Sequence, residues 1–299
     1  MLRTMYDEFL IENRSISIGY PLPYGAMKLK NDFEPAGLQA YLGELSEYER
    51  ASLYPYMAPE GSYLLAKGRL FQLNQRDLEK VVQVQTDPLL FGRTPVLAVG
   101  SNRAPYQLLR KFGSEAIVPV TSARLHDCDV VHTALVSYYG AIPCTAFPSS
   151  GTITELKIVW LDEDQLLHMH KTEGIGVAYD YVEMQGVEHQ LEVPVGPVFG
   201  YAARAGVLAW EDSQPAGLAV ISAQARQFKT VHQGEVAQRV CKLTNLTGAW
   251  SVEQFITTMQ TDKTLREEVI GQLQTHAIQP DQPPWRVIPV SMDGIDDYL

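Results

Sequence analysis

Between about Arg93 and Gly206 the chain offers apolar, β-branched and aromatic runs that glycine and proline keep punctuating, a pattern that suits a sheet better than a bundle. Val96-Leu97-Ala98-Val99 is too short for a helix and stands between Pro95 and Gly100, so it reads as a buried strand. Ala134 to Phe147 and Thr152 to Leu161, joined through Pro148-Ser149-Ser150-Gly151, read as a hairpin. Tyr179 to Met184 and Val198 to Val207 add two more strands.

Helices are marked by their ends. Pro105 suits a first helical position and Gly113 a stop, so a helix is predicted up to Phe112. Asp162 is a good N-cap, Glu163 and Asp164 favour the positive end of a helix dipole, and Gly174 suits the residue after the last turn, which predicts a helix over 163–173. Two flanking regions complete the chain. Residues 1–92 predict an amphipathic helix near Pro35 to Leu53 and a strand-like run from Ser62 to Leu73. A further helix is expected from an Asn74 cap to about Gln85. Residues 207–299 read as mostly helical, with a Ser251/Gln254 capping box, an Asp262 cap for a helix reaching His276, and Pro280, Pro283 and Pro284 ending regular structure. The division is therefore 1–92, 93–206 and 207–299, in an α+β chain.

Composition narrows the function. With 35 acidic against 24 basic side chains the formal charge is −11, which repels phosphate backbones and anionic lipid, so neither nucleic acid nor a membrane is an expected partner. The start, Met1 to Glu8, turns acidic at once, and no apolar stretch approaches the ~20 residues of a membrane span. Cys128, Cys144 and Cys241 are odd in number and far apart, with no CxxC pair, as befits reduced thiols in a cytoplasmic protein.

On the 163–173 helix, Leu166, Met169 or His170, and Glu173 share one stripe, so Glu173 continues a face that points inward. A desolvated carboxyl at the negative end of a helix dipole has the setting of a general base. The plain alternative is a glutamate facing water at a helix end. Gly100-Ser101-Asn102 turns the chain between a strand and a helix, which gathers backbone N–H groups into a nest for a carboxylate or an oxyanion. It is neither a phosphate-binding loop nor a GxSxG elbow, so Ser101 as a nucleophile with His126 or His132 rests on composition alone. His168, His170 and Glu173 do not converge on any regular element, which argues against a metal. Cys144 lies in a strand with no histidine placed beside it. Tyr138, Tyr139, Tyr179 and Tyr181 are expected on strands, where phenols beside a polar pocket can hydrogen-bond a substrate.

The order of these signals resembles the γ-glutamylcyclotransferase-like family. A strand ends in Val99-Gly100-Ser101-Asn102, a hairpin carries Thr152-Ile153, a short helix ends in Glu173-Gly174, and a strand begins at Tyr179. The family has a YGSN loop after its first strand, an LDxxEG segment ending in its acid/base glutamate, and then a tyrosine-bearing strand. The match spans about a third of the chain. It implies a mixed, strongly curved sheet or partial barrel flanked by helices. It implies that Gly100, Ser101 and Asn102 form a loop holding a γ-glutamyl moiety, with Glu173 as acid/base; Val99, Tyr138 and Tyr179 are further substrate-binding candidates. It further implies release of 5-oxoproline from a γ-glutamyl amide or amine conjugate, without metal or other cofactor. Val99 stands where the family has its loop tyrosine, and Met169-His170 where it has Leu-Asp. A non-catalytic ligand- or partner-binding protein that keeps the pocket is the alternative, and acyl transfer to water or to a second amine is a third possibility.

Overall fold

Strand residues here are buried on both faces, which is why they read as continuous apolar runs rather than as a clean alternation. The computed structural model describes residues 41–75, 78, 89–191, 195–211, 213–244, 246 and 250–290. Its described residues form an α+β arrangement of one twelve-stranded mixed sheet and six helices of given bounds.

Helix α1 (Glu47–Ser52) follows Ser46, whose side chain caps the Glu49 N–H while Glu49 reaches back to the Ser46 N–H. The single helix expected up to Leu53 is therefore broken at 43–46, where Gly43 precedes this new start; its portion before residue 41 lies outside the described residues. The expected run from Ser62 to Leu73 is two strands, β1 (Ser62–Ala66) and β2 (Arg69–Leu73). Lys67 and Gly68 both take positive φ at the turn between them, the backbone of a tight hairpin. Asn74 accepts the Leu78 N–H on its carbonyl, and the rest of the helix expected there lies outside the described residues.

Strand β3 (Thr94–Ala98) leads through Val99-Gly100 into a 3₁₀ turn (Ser101–Arg103) and then α2 (Pro105–Phe112), closed by Gly113 at φ 79°. The next element is β4 (Ile117–His132), which the sequence pattern did not reveal. It pairs antiparallel with β5 (Cys144–Leu161), so the expected hairpin is displaced. Its strands are β4 and β5, its loop is 133–143, and the Pro148–Gly151 segment lies inside β5. Asp127, at positive φ beside a register shift in β4, accepts the Gly151 N–H at 2.8 Å and carries the pairing through this segment.

Helix α3 (Glu163–Glu173) has the expected bounds, with Asp162 and Gln165 in a capping box and Gly174 in the left-handed conformation. Strands β6 (Tyr179–Met184), β7 (Val187–His189) and β8 (Val198–Ala203) follow, the last shorter than expected, with Val207 bridging to Thr133 and Ile278. Beyond it come the short strands β9 (Gly217–Leu218), β10 (Ala223–Gln224) and β11 (Thr230–Val231). Helices α4 (Gln233–Leu243), α5 (Val252–Thr261) and α6 (Lys263–Gln274) then lead to β12 (Trp285–Val287). β12 corrects the expectation that regular structure ends at the late prolines, because it pairs with β6 at the sheet edge. The main path runs β11-β9-β4-β5-β3-β8-β6-β12 and β1 joins it through β4, so strands from all three sequence regions share one sheet.

On one face Val96, Val120, Val159 and Tyr181 pack with Leu108 of α2 and Met169 of α3. On the other, Leu97, Ile158 and Val182 belong to the core completed by Val236 of α4, Phe255 of α5 and Val269 of α6. Each of the larger side chains, moved from water to such a core, contributes on the order of 2 kcal/mol. No helix among the described residues is long and apolar enough to cross a membrane.

Candidate active site

Two helices and a turn meet at the end of β3. Pro105 starts α2 immediately after the Gly100 turn, so the last turn of α2 comes alongside the last turn of α3. The Glu173 carboxylate at the end of α3 accepts a hydrogen bond from Asn102 Nδ2 at 2.9 Å. The same oxygen, Oε1, accepts one from the Lys111 ammonium of α2. Lys111 Nζ also lies 3.2 Å from the Met169 sulfur. With side-chain exposures of 15% for Glu173 and 6% for Lys111, the pair is shielded from water. Glu173 thus points inward as its stripe implied, but it is not alone there.

Ser101, Glu173, Tyr138 and Tyr179 line one cavity of about 460 Å³, together with Lys111 and His168. The turn and the glutamate predicted from sequence therefore come together. Val99 packs against the core. Asn102 acts through its side chain, whose Oδ1 is buried without a partner among the described residues. Ala104 donates its N–H to Ser101 and Arg103 donates to Gly100, while the first N–H groups of such a turn have no acceptor within it. Gly100 is required sterically: a Cβ there would sit 2.6 Å from the Tyr54 hydroxyl and 3.0 Å from the Cys144 sulfur.

Tyr138 and Tyr139 lie in the 133–143 loop, not on a strand as expected, because the hairpin is displaced. Tyr138 is exposed at the rim, and Arg50 of α1 donates to its hydroxyl at 3.2 Å. Tyr179 opens β6 as expected, and burial pushes its phenol well above the usual range. Burial acts likewise on Tyr54 and Tyr139 and pushes the Cys144 thiol up to about 12, so these groups are neutral donors near pH 7.

Of the remaining candidates, all but His168 are engaged elsewhere. His132 is fully buried and hydrogen-bonds the Val231 carbonyl, His126 pairs with Glu188, and His170 bonds the Tyr201 hydroxyl at 2.8 Å. His168 lines the cavity; burial first, and then the Lys111 and Lys171 cations, hold its imidazole below the usual value. Among the described residues no group of three His, Cys, Asp or Glu is placed to hold a metal ion.

Two members of this site were missed in the sequence. Lys111 stands three residues after Leu108 on the buried stripe of α2, the same signal of an inward charge that singled out Glu173. Tyr54 gives no local signal; it arrives from before β1, and its hydroxyl accepts the Cys144 N–H at 3.2 Å.

No family model matches the chain, and no curated protein matches it. Among solved structures it is similar to the crystal structure, from ensemble refinement, of an uncharacterized protein from Homo sapiens. Identity is 17% and the TM-score 0.33, over 69% of this chain and 97% of that one. A likeness of that degree carries no argument.

Proposed function

We propose that the protein is an enzyme of γ-glutamylcyclotransferase type, built on that family's strongly curved sheet or partial barrel, releasing 5-oxoproline from a γ-glutamyl amide or amine conjugate. The observation that carries this reading is the inward carboxylate of Glu173, hydrogen-bonded to Asn102 and sharing a cavity with Ser101 of the same turn.

Glu173 takes a proton from the substrate's α-ammonium, and the freed amine attacks the γ-carbonyl carbon. The same carboxyl then protonates the departing amine as its bond to that carbon breaks, leaving a five-membered lactam. No water is consumed. Holding both reacting groups within one bent substrate makes the attack intramolecular, and backbone N–H groups of the Gly100 turn steady the oxyanion. Among the described residues, the hydrogen bonds to Glu173 fall on Oε1, which leaves Oε2 for proton transfer. Asn102 and Lys111 act as positioning residues, and Arg110 at the cavity supplies positive charge for the substrate's α-carboxylate.

The Tyr54 hydroxyl lies against Gly100, beside a loop that has Val99 where the family has tyrosine. A second reading, a ligand-binding protein without turnover, is favoured by Lys111, whose ammonium is already ion-paired with Oε1 of the carboxylate that would act as base.

The purified protein, incubated with a panel of γ-glutamyl amides, is expected to release 5-oxoproline, while Glu173→Gln loses about three orders of magnitude in rate. Equal behaviour of the two proteins would defeat the enzymatic reading. Binding of a γ-glutamyl amide without product would establish the second.

A further inference from the structure

A second cavity, of about 530 Å³, also has Tyr54 in its lining, and its volume lies in the range of small-molecule sites. Leu53, Met57 and Val220 at this cavity are among the few large apolar side chains left exposed. Tyr54, Tyr56 and Tyr106 give it an aromatic wall, with Tyr56 and Tyr106 ring centroids 4.8 Å apart. In a chain with 35 acidic residues, no aspartate or glutamate among the described residues lines it. Its charged lining residue is Arg103, and His232 adds a titratable ring.

Arg103 is unusual in its surroundings. Its Nε is enclosed and has no hydrogen-bond partner among the described residues. Burial holds the guanidinium below its ordinary value, and the groups that act on its charge are the Cys144 thiol and the Tyr63 and Tyr54 phenols. All three are themselves pushed upward by burial, so none supplies a negative charge near pH 7. A second buried cation is close by: burial first, and then Arg103, lower Lys157 to about 8, and its ammonium donates to the Gly61 carbonyl. A guanidinium enclosed with no counter-charge among the described residues raises the energy of the fold, and an arriving anion offsets that cost.

We propose that this cavity binds a small organic anion, its carboxylate or phosphate held by the Arg103 guanidinium and its apolar body lying against Tyr54, Tyr56 and Tyr106. The planar fork of arginine matches either oxyanion through paired hydrogen bonds. The first turn of α4, at His232 and Gln233, borders the cavity but does not anchor the anion, because Glu235 already accepts the His232 N–H at 2.9 Å. The inference stands apart from the chemistry at Glu173.

Titration calorimetry of the full chain with phenylacetate, phenyl phosphate, inorganic phosphate and neutral phenylacetamide tests it. One or both aromatic anions are expected to bind about tenfold or more tightly than the amide, and whichever binds better identifies the oxyanion. Arg103→Met is expected to lose that preference, Arg103→Lys to keep part of it, and Val220→Trp, which fills the cavity from its exposed rim, to lose binding with Arg103 intact. The proposal is overturned if neither aromatic anion binds at millimolar concentration, if the amide binds as well, or if Val220→Trp binds like the wild type. The last arm holds even where an Arg103 variant does not fold. Inorganic phosphate matching phenyl phosphate would remove the aromatic wall from the site and overturn that part.

Discussion

His132 shows how one buried side chain sets a pH limit on the whole protein. It is fully enclosed in β4, and burial lowers its imidazole from 6.5 to about 4, with the bond to the Val231 carbonyl opposing the shift. Between those values the unfolded chain holds a proton that the folded one does not, so stability falls as pH drops from 6.5 toward 4. Over the full window the loss is about 3 kcal/mol. His132→Gln keeps an N–H for the carbonyl and cannot titrate. Denaturation midpoints measured from pH 7 to pH 4 are expected to show the gap between wild type and variant narrowing as the solution is acidified. Parallel curves would assign the acid sensitivity to other groups.

Helix α3 is the element on which the site depends, since its last residue is Glu173 and its stop is Gly174. Gly174 sits at φ 62° and ψ 55°, and an added Cβ would meet only ordinary contact with Ala178 at 3.7 Å. Gly174→Ala is therefore expected to cost about 1 kcal/mol through backbone strain alone, and Gly174→Asn less, because asparagine tolerates this conformation. Urea denaturation measures both, and an alanine variant as stable as wild type would show that α3 ends without needing glycine. This helix was legible in the sequence because its determinants are local: Asp162 three residues before Gln165, acidic residues in the first turn, glycine after the last. Helix α2 was legible for the same reason, from Pro105 and Gly113. Strand β4 was not. Its Pro119, its charges at Arg124 and Asp127, and a bulge at positive φ interrupt the pattern, and its partner registers are fixed by residues of β1 and β5 far away in sequence. The Pro148–Gly151 segment looks like a turn for as long as the Asp127 side chain across from it is unknown. The Glu173 side of the candidate site could thus be read locally. Its Lys111 partner required two inward stripes to be compared, and Tyr54 required the fold itself.

At the scale of the molecule, the C-terminal helices are bound to the cavity's wall. Gln260 of α5 donates to the Tyr139 carbonyl at 3.0 Å and to the Glu47 carbonyl at 2.8 Å, and Gln233 of α4 exchanges hydrogen bonds with both backbone groups of Ile142. Gly140 lets the 133–143 loop approach α5: at φ 83°, its Cβ would lie 2.8 Å from the Ile256 carbonyl oxygen. Gly140→Ala is expected to destabilise the protein by about 3 kcal/mol, the sum of strain at positive φ and the forced separation of two backbones. Differential denaturation against wild type checks this, and a loss below about 1 kcal/mol would mean that the loop and helix part easily.

Tyr54 belongs to the linings of both cavities, and its hydroxyl touches the glycine turn between them. Two chambers that share a partition also share its loss: a substitution that truncates this side chain, such as Tyr54→Ala, removes wall from both at once.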